Sequence, residues 1–131
     1  MTDVAVGPRA LYSDVIRERW RRPRFRGELV GADAVAEDVN PLCGDRVRVQ
    51  LAFTDGRIET ARFAGDSCAI CTASADVVME LASGRERGAA GALTAADVLD
   101  VLKADVRPTR MRCVTLPLSV LAAALAGEGR R

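Results

Sequence analysis

The stretch "NPLCGDRVRVQLAFTDGRIETARF", residues 40–63, decides the fold class. Val47, Val49, Leu51 and Phe53 alternate with Arg46, Arg48, Gln50 and Ala52, the period-two pattern of a strand with one buried face. "TDG" (54–56) supplies a tight turn in which Gly56 is free to take positive φ. Arg57 to Phe63 reads as the returning strand, and its alternation slips after Thr60, which predicts a bulge there. An antiparallel hairpin therefore sits in the middle of the chain, with no βαβ crossover around it. "VAEDVN" (35–40), bounded by Pro41, is a weaker third strand.

On both sides of these strands the period becomes helical. Leu11, Val15, Ile16 and Trp20 have helical spacing, and Pro23 ends that pattern. After the hairpin, Ile70, Ala73, Val77 and Leu81 line one helical face. "SGRERGAAGA" (83–92) has no apolar pattern and reads as a loop. Thr94 with Asp97 three residues later resembles a capping box, and Val98, Val101 and Leu102 form the stripe of the helix that follows. "RPTR" (107–110) interrupts before a last helix through Leu118, Leu121 and Leu125. Proline is tolerated in a helix's first turn, so Pro117 predicts that Cys113 lies at or just before that helix's start. Helix, strands, then helices indicate an α+β fold.

Composition narrows the function classes. The 131 residues are 49% hydrophobic and carry a net charge of +1, which suits one globular domain. No apolar run approaches the roughly 18 residues of a membrane span. "MTDVAVGPRA" lacks the regions of a signal peptide, so a cytoplasmic location is expected. In that compartment four cysteines suggest metal or thiol chemistry more than disulfides. The arginine-rich "RERWRRPRFR" (17–26) could stack and pair with nucleic acid, but one basic segment is a weak signal. A solvated face or a docking surface is the better reading, and neither nucleic acid nor membrane is expected as a partner. With no histidine in the chain, Cys–His and Ser–His–Asp catalysis and a Cys₂His₂ zinc finger are excluded.

The four cysteines, Cys43, Cys68, Cys71 and Cys113, contain one short pair, "CAIC" (68–71), where a structural zinc ribbon would show two. Three readings stay open on spacing alone. Cys68 and Cys71 could be a redox dithiol opening a helix, although no βαβ pattern surrounds them. Cys43, Cys68 and Cys113 could join Asp45 in a Cys₃Asp site for zinc or iron. Or the cysteines are small apolar core residues.

"NPLCGDRVRV…FAGDSCAICTASAD…RMRCVTL" resembles the U-type iron–sulfur cluster assembly scaffolds, IscU, SufU and the N-terminal domain of NifU. The three family cysteines correspond to Cys43, Cys68 and Cys113, and Asp45 falls on the aspartate of the CGD motif. "LYSDVIRERWRRPRFRGEL" is similar to the family's opening helix and its "NPxNxG" turn, with Arg22 and Phe25 replacing the two asparagines. The match covers residues 11 to about 125. Departures are Ser67 in place of the usual glycine, Cys71 in place of a small residue, and Arg112 where IscU-like members carry histidine. Arg112 and its surroundings look like SufU, but the insertion that SufU carries between its second and third cysteines is missing.

The resemblance implies a single domain over 1–131, with 1–9 and 127–131 as flexible tails. It implies a small antiparallel three-stranded sheet covered on one side by helices. It further implies a carrier with no turnover of its own, which accepts sulfur from a cysteine desulfurase and assembles a transient [2Fe–2S] cluster on Cys43, Asp45, Cys68 and Cys113. Cys113 would be the persulfide acceptor. Apart from the resemblance, Cys71 lies three residues after Cys68 on one helix and is a further candidate ligand, and Arg112 is a charge that could steer the persulfide. Recipient apoproteins or carrier proteins would take the product. The alternative is a zinc-bound, SufU-like sulfurtransferase partner that relays persulfide sulfur; a Cys-x-x-Cys dithiol oxidoreductase is the remote one.

Overall fold

The computed structural model describes residues 13–127. Helix α1 (Asp14–Arg21) is followed by strands β1 (Ala34–Asn40), β2 (Asp45–Thr54) and β3 (Arg57–Ala64). Helices α2 (Ala69–Ala82), α3 (Arg87–Gly91), α4 (Ala95–Leu102) and α5 (Met111–Gly127) complete the order. The strands form one antiparallel sheet in the order β1-β2-β3: the alternation predicts its β2–β3 hairpin, and the resemblance implies the third strand. Leu11 and the expected flexible ends 1–9 and 128–131 lie outside the described residues. Gly127, expected in the C-terminal tail, is the last residue of α5.

The hairpin turn has positive φ at both Asp55 (54°) and Gly56 (77°), the geometry that matches the twist of the flanking strands. The bulge falls one residue earlier than the alternation suggests. Ala52 pairs with Thr60 and Phe53 with Ile58, so Glu59 is the extra residue. That insertion shifts the parity of β3, turning Ile58, Ala61 and Phe63 inward while Glu59 stays in water.

Helix α2 departs from the one-faced pattern. Every residue from Ile70 to Met79 is buried, while Leu81, assigned to the apolar face, is only half-buried. The cause is position: α2 packs against α1, α4, α5 and β3, and a helix surrounded in this way keeps no solvent face over that stretch, with Glu80 near its end exposed. Its buried polar groups are mostly paired. Asp76, fully buried, accepts from Arg19 Nη1 at 2.8 Å and from the Phe25 backbone N–H at 2.8 Å. Arg19 and Arg24 both reach Glu80, at 2.5 and 2.7 Å, and the Arg26 guanidinium donates to Gly65 O at 2.6 Å. Part of the arginine-rich segment is thus an internal clamp onto α2 and the turn before it.

Two helix predictions change. The segment 83–92 contains a short helix, α3, anchored by buried Ala90. Pro117 sits in the second turn of α5, not the first, because the helix begins at Met111 and is preceded by a 3-10 turn, Pro108–Arg110. Pro108, at the N1 position of that turn, is the proline that occupies the helix start. The 3-10 turn and α5 together make a 20-residue helical stretch in which 18 residues reach a mean hydropathy of 1.3, long and apolar enough by composition to cross a membrane. It lies against β1, β2 and α2 and buries Val114, Leu116, Val120 and Leu121 in the core. The capping box holds as expected: Thr94 Oγ1 accepts from the Asp97 N–H, and Asp97 accepts from the Thr94 N–H.

Candidate metal centre

Three chain segments bring the cysteines together. The first is the turn 40–44. Buried Asn40 organises it, its backbone oxygen accepting from the Gly44 and Cys43 N–H groups and its side-chain oxygen from the Leu42 N–H. The chain then enters β2 at Asp45, which is 3% exposed and aimed under the helices, while Cys43 stays exposed at the turn.

The second segment is the turn 65–68. Gly65 has φ +123°, and a Cβ there would lie 2.9 Å from the Arg46 carbonyl carbon and closer still to its oxygen. Only glycine allows the turn to press against β2 in this way, and the Arg46 N–H bonds Asp66 O at 2.8 Å as a result. Cys68 is the N-cap of α2, its Sγ accepting from the Cys71 N–H at 3.4 Å. The third segment is the start of α5, where Cys113 is the third helical residue, 1% exposed.

Asp45 joins all three. Its Oδ1 accepts from the Cys68 backbone N–H at 2.8 Å, and its Oδ2 lies 3.0 Å from Cys43 Sγ and 3.6 Å from Cys113 Sγ. Cys43 Sγ, Cys113 Sγ and an Asp45 oxygen all lie within 4.8 Å of one another. Cys68 Sγ is 3.6 Å from Cys113 Sγ. Cys71 is 0% exposed among the residues of the hydrophobic core, one turn into α2.

The surroundings favour the neutral thiol at Cys43, Cys71 and Cys113. The hydrogen bond to Asp45 raises the Cys43 thiol above its ordinary value. Burial pushes Cys113 up to about 12, against an opposing pull from Arg110. Burial raises Cys71 as well. Arg110 Nη2 donates to Cys68 Sγ at 3.4 Å, and hydrogen bonding to Cys113 and then Cys68 raises the guanidinium pKa further.

Arg110 is the residue sequence reasoning missed. Arg112, assigned the steering role, is exposed. The signal was present in "RMRC": with Cys113 inside a helical stretch, the residue three positions earlier shares its side, whereas the adjacent one does not. Placing Cys113 at or just before the helix start hides that relation.

Three thiols and a carboxylate on separate segments are a donor set for zinc or iron. The carboxylate is the hard member and the easier one to displace. Metal binding here must displace thiol protons, which couples affinity to pH.

Comparison with known proteins agrees with this architecture. The chain matches the NifU-like N terminal domain family over residues 11–128. It is 33% identical to the iron-sulfur cluster assembly scaffold protein IscU of Streptococcus pyogenes serotype M1, across 88% of this chain and 82% of the relative. It is 35% identical to the zinc-dependent sulfurtransferase SufU of Bacillus subtilis (strain 168), across 58% of this chain and 51% of that protein. Among solved structures it is similar to one described as an iron-sulfur cluster assembly scaffold protein for the SUF system of Fervidobacterium islandicum AW-1. The TM-score there is 0.76 at 26% identity, covering 88% of this chain and 96% of the other. With the matched residues spanning all three cysteine segments, the chain belongs to the NifU-like N terminal domain family.

Proposed function

We propose that this chain is an iron–sulfur cluster assembly scaffold that receives sulfur from a cysteine desulfurase and holds a transient [2Fe–2S] cluster on Cys43, Asp45, Cys68 and Cys113. The observation that carries the reading is Asp45, which meets the Cys43 and Cys113 thiols and the Cys68 backbone N–H at once, with Cys68 Sγ reaching the group through Cys113 Sγ. The roles follow from exposure and contacts. Cys43 is the exposed thiol and meets an incoming donor first. Cys113, buried beside Asp45 and one turn from Arg110, is the sulfur acceptor. Its thiol proton has a nearby base in Asp45 Oδ2, and Arg110 supplies positive charge for the persulfide anion. Thiolates of this kind attack persulfides and also ligate iron. Cys71 serves the core.

The test is anaerobic reconstitution with ferrous iron, cysteine and a desulfurase. A visible chromophore is expected, lost in Cys43→Ser, Cys68→Ser and Cys113→Ser, and more persistent against chelator where Asp45→Cys replaces the oxygen donor. No chromophore and no bound iron would refute the scaffold reading.

A zinc-dependent sulfur relay is the second reading, supported by Arg110 at the thiols and by the likeness to SufU. Stoichiometric zinc, faster desulfurase turnover and no chromophore would favour it.

A further inference from the structure

The "CAIC" spacing nominates Cys68 and Cys71 as a dithiol, yet the thiol pair in contact is a different one. Cys68 Sγ and Cys113 Sγ are 3.6 Å apart, across two helix starts that are 45 residues distant in the chain. Two sulfurs at that separation are close to the about 3–3.5 Å of a near-attack arrangement, and closing to a disulfide needs about 1.6 Å of side-chain movement. Cys71 contributes only its backbone N–H to Cys68, and Cys43 Sγ is engaged with Asp45.

We propose that Cys68 is a resolving thiol: it attacks Sγ of a persulfide carried on Cys113, closes a Cys68–Cys113 disulfide and releases the outer sulfur as sulfide. This rests on Cys113 being the sulfur acceptor. The step balances without an outside redox partner. The Cys68 thiolate supplies the electron pair for the new Sγ–Sγ bond. The bond between Cys113 Sγ and the outer sulfur breaks, and its pair leaves on HS⁻ with the proton the persulfide carried. The two cysteines together lose two electrons, and the transferred sulfur gains them. Attack at this sulfur of a persulfide is ordinary thiol–disulfide exchange.

The surroundings favour that direction. Arg110 Nη2, 3.4 Å from Cys68 Sγ, places a cation beside the attacking sulfur, where it favours the thiolate. Cys43 Sγ and an Asp45 oxygen lie within 4.8 Å of Cys113 Sγ, so sulfide leaving Cys113 would be generated next to the residues that would hold iron. A dithiol reductant then returns the disulfide to two thiols, after which both cysteines are again available as ligands.

The test uses the full-length chain, purified reduced and without oxygen, mixed with a persulfide-loaded cysteine desulfurase in the absence of added thiol. Free sulfide is assayed colorimetrically, and the chain is mapped by peptide mass spectrometry after alkylation. The expected result is one sulfide released per sulfur transferred, with a cross-link joining the Cys68 and Cys113 peptides. Cys68→Ser is expected to hold the extra sulfur on Cys113 and lose sulfide release, while Cys71→Ala behaves as the parent. Circular dichroism of Cys68→Ser separates chemistry from misfolding. Peroxide oxidation of the unsubstituted chain should yield the same Cys68–Cys113 cross-link. Undiminished sulfide release by Cys68→Ser, a parent chain that retains its persulfide, or a cross-link to Cys43 or Cys71 overturns the resolving role. If neither chain gains sulfur on Cys113, the acceptor assignment falls with it.

Discussion

Replacing Gly65 by alanine tests whether the cysteine turns are set by backbone packing. At φ +123° any side chain is strained, and the new Cβ would press on the Arg46 carbonyl, 2.9 Å from its carbon. Backbone strain of this kind costs about 1–3 kcal/mol, and forcing an atom into a packed contact about 1–3 more. A total of about 2–6 kcal/mol is therefore expected for Gly65→Ala. Gly44→Ala is the internal comparison. It has φ +78° with nothing within 4 Å of the added atom, so only the left-handed backbone penalty of about 1–2 kcal/mol applies. Relief of the Gly65 clash must move the 65–68 turn away from β2, which lengthens the Cys68 N–H to Asp45 bond, now 2.8 Å. A displacement of about 1 Å at such a site can cost on the order of a hundredfold in function. Urea denaturation gives the stability difference, and zinc competition titration gives the site's affinity. Equal midpoints and equal zinc affinity for Gly65→Ala and Gly44→Ala would refute the reasoning.

Other expectations follow from single contacts. Asp76→Ala leaves the Phe25 N–H without its buried acceptor and removes one of the two carboxylates that Arg19 meets, Glu80 remaining, and should destabilise the fold by about 1–3 kcal/mol; a urea midpoint close to that of the parent would show that the clamp is idle. Arg110→Ala should slow sulfur acceptance by Cys113 in a mass-resolved transfer assay, while exposed Arg112→Ala should change neither transfer nor stability beyond about 0.5 kcal/mol. Burial raises Cys113 from 9.0 to about 12, so folding favours the neutral thiol. That contribution is fully present below pH 9.0, is lost as pH rises towards about 12, and should vanish from the pH profile of urea midpoints in Cys113→Ser.

The sequence by itself determined the sheet and most of the helices. Val47, Val49, Leu51 and Phe53 alternate too regularly for anything but a half-buried strand, and the Thr94–Asp97 box fixes a helix start from local bonds alone. It also carried the candidate ligands, because "CGD" and the spaced cysteines are local motifs. What it could not hold was anything decided by contact between distant segments. The all-round burial of α2 depends on which elements surround it, and the position of the β3 bulge depends on which side chains must face the core. A local rule places Pro117 in the first turn, whereas Pro108 starts the helical stretch and packing carries α5 through Pro117. That shift put Cys113 inside the helix and turned Arg110, not Arg112, towards the sulfurs. The pairing of the thiols changed in the same way. Chain proximity suggests Cys68 with Cys71, but the N-cap geometry of α2 turns Cys68 outwards to Cys113 while Cys71 enters the core. Spacing along a chain limits which groups can meet locally; only the packing of β2, α2 and α5 decided which sulfurs do.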